Sequence, residues 1–76
     1  MILRIFRNKK HLTQKEVANK LKISVRQYQR IESGRSFPSK STLLLLEDMF
    51  NTPHRVLLAK SFEEIPDFLK RYLPKL

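Results

Sequence analysis

Two helix-start signals lying close together constrain this chain more than any other feature. Thr13-Gln14-Lys15-Glu16 and Ser24-Val25-Arg26-Gln27 both have the form of a capping box. In such a box the first side chain accepts from a backbone N–H three residues on, and the fourth side chain reaches back to the first residue's N–H. Between the two boxes there is room for one short helix and a tight turn. Gly34, the only glycine of the chain, then closes the second helix as the residue just past its end. The rest of the chain must pack around this pair of short helices.

The remaining punctuation yields more segments of the same kind, each with apolar residues at helical spacing. The pattern predicts helix 1 over Met1–Lys10, with Leu3 and Phe6 facing inward. Helix 2 runs from the Thr13 cap to about Leu21, with Val17, Ala18 and Leu21 on one side. Helix 3 runs from the Ser24 cap to Gly34. Helix 4 opens at Ser39 or Lys40 and runs to about Phe50. Thr52 is expected to cap helix 5, with Pro53 at its first position, where a missing N–H costs nothing. Residues Pro66 to Leu73 are expected to form a shorter sixth helix ended by Pro74, with a stripe of Phe68, Leu69, Tyr72 and Leu73. Neither a strand pattern nor an internal repeat is visible.

Seventy-six residues allow one domain with a small core, since a chain this short buries only about 60% of its unfolded surface. Without cysteine there is no disulfide and no thiolate zinc site. No apolar run, Leu43–Leu46 among the longest, approaches the ~20 residues of a membrane span. The first ten residues are too short and too charged for a signal peptide, so a cytoplasmic protein is expected, with no room for a separate ligand-sensing domain. Sixteen Lys+Arg against seven Asp+Glu leave a net charge of +9. Such an excess favours a polyanion, nucleic acid first and an acidic membrane or protein surface second.

Helix 3 suggests how that charge is used. At about 100° per residue, Tyr28 and Ile31 share an apolar face, while Arg26, Gln29, Arg30 and Ser33 turn the other way. Arginine can donate two parallel hydrogen bonds to guanine, glutamine can bond both ways with adenine, and a major groove admits one helix. The alternative is an ordinary solvated face. Val25 lies on the flank, open between contact with a thymine methyl and partial burial. Glu32 falls on the apolar side, where a carboxylate needs a cationic partner. Nothing basic shares its face, so the partner is expected on another helix.

Residues 12–39, LTQKEVANKLKISVRQYQRIESGRSFPS, resemble the helix-turn-helix of the phage repressor/Cro-like (Xre) transcriptional regulators. Arg7, Leu12-Thr13-Gln14, Val17-Ala18, Ile23-Ser24, Tyr28, Ile31-Glu32-Ser33-Gly34 and Pro38-Ser39 stand at the family's spacing, and the likeness extends over about residues 3–58. It implies an all-α, lambda-repressor-like five-helix DNA-binding domain over 1–58, followed by a short helical extension over 59–76. Two positions depart from the family pattern. Lys22 stands where the turn often has glycine, which strains it if φ is positive, and Ser33 stands where asparagine is common.

The resemblance also implies roles. Val25, Arg26, Gln29 and Arg30 fall on base-reading or groove-lining positions, as does Ser24 at their edge. Gln14 is expected to hold a phosphate or an adenine at the edge of the site. Gln27 is open between the DNA backbone and a capping role alone. Ser33, Arg35 and Ser36 match a phosphate-gripping loop. Arg7 matches a helix 1 arginine that pairs with Glu32, the alternative being one more phosphate contact.

Other constellations are weak. His11 and His54 have no partners at metal-ligand spacing, and Glu63, Glu64 and Asp67 fit charges at a helix start better than a carboxylate site. No cofactor, metal or enzymatic activity is expected. Val56, Leu57, Leu58, Phe62, Ile65, Phe68, Leu69, Tyr72 and Leu73 remain after five helices have used their core residues. They either fold back onto the chain or join two copies, and a homodimer on a palindromic operator is the expectation favoured, with the chain acting as a repressor. The alternative function is an antitoxin that covers a toxin with its tail and autoregulates its promoter. RNA binding, or bridging that reads no sequence, is a third.

Overall fold

The computed structural model describes residues 1–74; the last two residues of the expected extension lie outside them. The described residues form α1 (Ile2–Lys9), α2 (Gln14–Leu21), α3 (Val25–Glu32), α4 (Lys40–Phe50) and α5 (His54–Leu57), followed by 3-10 helices at Phe62–Glu64 and Asp67–Tyr72. None of them forms a strand.

Both capping boxes close. Glu16 N–H donates to Thr13 Oγ1 at 3.1 Å and Thr13 N–H to Glu16 Oε1 at 2.9 Å. Gln27 N–H donates to Ser24 Oγ at 3.0 Å and Ser24 N–H to Gln27 Oε1 at 3.2 Å. The turn between them passes through Lys22 at φ 60°, ψ 39°, the left-handed region that disfavours a side chain. Gly34 takes φ +83° as the chain leaves α3, and the N–H groups of Arg35 and Ser36 both donate to Arg30 O. Ser39 caps α4 through Thr42 N–H.

Two expectations about the later elements need correction. Thr52 does not cap α5: its hydroxyl is buried and donates to Phe50 O at 2.7 Å. Pro53, at φ −59°, ψ 144°, stands outside the helix as its cap residue rather than at its first position. The acceptor comes from α4, where Glu47 Oε2 receives the His54 N–H at 2.8 Å and lies 3.0 Å from His54 Nδ1. The expected sixth α-helix is a 3-10 helix. At three residues per turn, side chains three apart eclipse, so Leu69 and Tyr72 share a side and Phe68 leaves it. Leu69 is buried, whereas Phe68 is 65% exposed, with the Arg55 guanidinium 5.8 Å from its ring.

Packing follows two clusters. The first gathers Leu3, Val17, Ala18, Leu21, Tyr28, Ile31, Leu46, Phe50 and Leu57, which locks α2 and α3 against α1, α4 and α5. The second joins Ile2 and Val56 to Ala59, Ile65 and Leu69. Phe6 packs against both clusters and meets Phe50 edge-on, ring centres 6.2 Å apart. The tail thus folds back onto α1 and α5. Val56, Leu57, Ile65 and Leu69 are buried within their own chain, and Leu58, Tyr72 and Leu73 are partly buried, leaving Phe62 and Phe68 exposed. Leu69→Ala should cost about 2–4 kcal/mol in urea unfolding, and Phe68→Ala less than about 1 kcal/mol. Equal costs would contradict this placement of the tail.

Candidate nucleic-acid interface

The outer face of α3 is an array of polar side chains on a rigid base. Tyr28 and Ile31 anchor the helix in the core, while Arg26, Gln29, Arg30 and Ser33 are exposed. Val25 is half-buried and packs against the core cluster. Ser24 and Gln27 are exposed but occupied with each other in the capping box. Ser33 Oγ donates to Arg30 O at 3.2 Å. Arg35 and Ser36 follow as exposed residues of the turn after α3.

The acid on the apolar side of α3 has the partner it requires. Glu32 is 6% exposed. Arg7 Nε donates to its Oε2 at 2.8 Å and Arg7 Nη2 to its Oε1 at 3.0 Å, a two-pronged pair that ties α1 to α3. Arg7 Nη1 donates to Leu12 O at 2.9 Å, so the same guanidinium also holds the approach to α2. Burial is the largest influence and opposes ionisation of Glu32, but the hydrogen bonds and charge of Arg7, together with the polar neighbours Tyr28 and Gln14, outweigh it, so the carboxyl is held below its ordinary pKa. Burial first, and then the neighbouring Glu32, push the Tyr28 phenol upward, so Tyr28 remains neutral beside the pair.

Hydrogen bonds extend outward from this pair. Gln14 Nε2 donates to Glu32 Oε1 at 3.3 Å, and Gln29 Nε2 donates to Gln14 Oε1 at 3.1 Å. A carboxylate only accepts, so Glu32 turns the Gln14 amide nitrogen inward and its oxygen toward Gln29. The buried charge therefore orients a side chain on the exposed face.

Beside this chain of bonds, a cleft of about 780 Å³ opens between α1, the start of α2 and the end of α3. Gln14, Gln29, Ser33, Arg4, His11 and Lys60 are among the residues that line it. Arg4 and Lys60 were not among the expected site residues. Arg4 carried a weak signal, since residues three apart on α1 share a face and Arg7 was already singled out. Lys60 carried none, because only the folding back of the tail brings it there.

A family model described as helix-turn-helix matches residues 3–57. The chain belongs to the helix-turn-helix family. The match begins within α1 and ends with α5, and the family is the phage repressor/Cro-like (Xre) type of helix-turn-helix, a family of DNA-binding transcription regulators. No curated protein and no solved structure gives a match. In this helix-turn-helix, α2 and α3 are the paired helices. No helix among the described residues is long and apolar enough to cross a membrane, and none of their His, Cys, Asp and Glu side chains group as a metal site.

A double-mutant cycle over Arg7→Gln and Glu32→Gln should show each single change costing about 3–5 kcal/mol, since one buried charge is orphaned, with the double mutant recovering part of the loss. The native carboxyl of Glu32 titrates below its unfolded value. Its contribution is therefore complete above the ordinary carboxylate range and is lost as pH falls through the lower native pKa. Glu32→Gln should flatten that acid limb of the stability profile, and an unchanged limb would contradict the pairing energetics.

Proposed function

We propose that this helix-turn-helix chain is a sequence-specific regulator that represses transcription as a homodimer on a palindromic site in the cytoplasm. The observation carrying this reading is the exposed α3 face: Arg26, Gln29 and Arg30 project from a helix whose opposite side is fixed by Tyr28, Ile31 and the Arg7–Glu32 pair. In this reading Arg26 and Arg30 contact base edges, with guanine the natural partner, and Gln29, steadied by Gln14, reads beside them. Val25 contributes only its outer edge. Arg35 and Ser36 grip phosphate beyond α3. Ser24, Gln27 and Ser33 serve first as local caps and touch the backbone from those positions.

One helix reads few bases, and regulators of this type place two of them one turn apart, roughly 34 Å. The tail's inward face is already spent inside the chain, so the dimer surface proposed for α5 and the tail reduces to what remains outside, Leu58, Phe62 and Phe68, with Phe37 of the loop before α4 at 72% exposure. The same burial of Ile65 and Leu69 leaves an antitoxin tail only Phe62 and Phe68 as large exposed apolar side chains, the surface that the dimer would also use.

Duplexes selected from a random library by the full-length chain test the reading. Arg26→Ala and Arg30→Ala should each lose about 1–3 kcal/mol of discrimination at particular base pairs, and Arg35→Ala should weaken all sequences alike. Sedimentation should find two chains on each selected palindrome. Unchanged discrimination in the Arg26 and Arg30 variants would remove α3 as the reading element, and one chain per duplex would remove the dimer.

A further inference from the structure

The cleft beside α3 holds positive charge that the major-groove reading does not use. We propose that Arg4 and Lys60 together hold a DNA backbone phosphate flanking the bases that α3 faces, a site that rests on the DNA-binding reading above and extends its footprint outward. Glu32 is the one acid among the residues lining the cleft, and Arg7 already neutralises it at 2.8 Å. The side chains of Arg4 and Lys60 are exposed and form no ion pair among the described residues. Two uncompensated cations on a polar wall attract an anion.

The surroundings favour a phosphate delivered by a docked duplex over a captured free ion. The backbone N–H groups of the turn after α3 and of the α2 cap are spent: Gly34 N–H donates to Ile31 O, those of Arg35 and Ser36 donate to Arg30 O, and that of Thr13 donates to Glu16. From Gly34 to Ser36, therefore, no amide is free to enclose a small anion. The cleft also shares Gln14, Gln29 and Ser33 with the α3 side of the molecule. A duplex lying along α3 therefore passes its mouth.

Lys60 is held in place by the fold. Ile2 N–H donates to Ala59 O at 3.2 Å, which ties the start of α1, and Arg4 with it, to the residue before Lys60. The N–H of Lys60 donates to Glu64 Oε2 at 2.9 Å, and Ile65 and Leu69 clamp the following chain against Ile2 and Val56. The Lys60 stem lies over the end of α3: its Cε is 3.8 Å from where a Cβ on Gly34 would stand. Lys60 falls beyond the helix-turn-helix match, which ends at residue 57, so the tail adds a contact that the matched segment lacks.

The test uses the full-length chain and a duplex it selects from a random library, with long flanks on both sides. Arg4→Gln and Lys60→Gln are exposed changes, and thermal melting checks that both variants fold. Each should lower affinity about fivefold to tenfold near 0.1 M salt and reduce the log–log salt slope by about 0.9 per lost phosphate contact, with base preference unchanged. Replacing the flanking phosphates by neutral methylphosphonates should weaken the wild type by a similar factor and abolish its advantage over both variants. Wild-type affinity and slope in the two variants would overturn the site. So would a changed base preference, or an advantage that survives the methylphosphonates. A wild-type chain that retains no duplex at all would remove the DNA-binding reading, and this site with it; the variants' failure alone would leave that reading standing.

Discussion

Everything on the outer face of α3 depends on one buried ion pair. Glu32 stands on the side of α3 that packs inward, where an unpartnered carboxylate would not remain ionised. Arg7 meets it with two parallel hydrogen bonds and spends a third on Leu12 O. One guanidinium thereby connects α1, the entry to α2 and the end of α3. A two-pronged pair also fixes orientation, so the pair sets how α3 lies as well as that it stays attached. Through Gln14 the same carboxylate orients Gln29, which carries the buried charge's influence to a side chain facing solvent.

The tail solves a separate problem of size. A short chain has little interior, and α5 is a single turn whose Val56 would face water if the chain stopped there. Ile65 and Leu69 cover it together with Ile2. Two short 3-10 helices suffice because they need to present only an occasional apolar side chain inward, and their tighter winding explains why Phe68 is left outside. The folded-back tail also positions Lys60, which joins core formation to the shape of the polar cleft.

Features encoded locally were legible in the sequence. Thr13 with Glu16 and Ser24 with Gln27 are four-residue signals, and both close where they were read. The inward face of α3 followed from the spacing of Tyr28 and Ile31, and Glu32 drew attention because it broke that face. The strain foreseen at Lys22 appears as a positive φ. Features that depend on distant parts of the chain were not legible. Thr52 looked like a cap, but Glu47 on α4 reaches the His54 N–H first and leaves Thr52 to bond Phe50. His54, whose sequence neighbours offered no metal-ligand partner, gains a hydrogen-bond partner from the same α4 side chain. The tail's stripe was visible, but whether it covered its own chain or another depended on Ile2 and Val56 lying beneath it. The polar path through Gln14 to Gln29 and the place of Lys60 required the assembled fold.

In the function proposed above, α3, held by the Arg7–Glu32 pair, presents its Arg26–Gln29–Arg30 face to a duplex. Titrating the isotopically labelled full-length chain with a duplex selected from a random library, and following backbone and side-chain NMR shifts, tests it most directly. The largest changes are expected at Arg26, Gln29, Arg30, Gln14 and Arg35, with the exposed Leu44 and Leu45 of α4 unmoved. Changes concentrated on α4, with the α3 face silent, would contradict it.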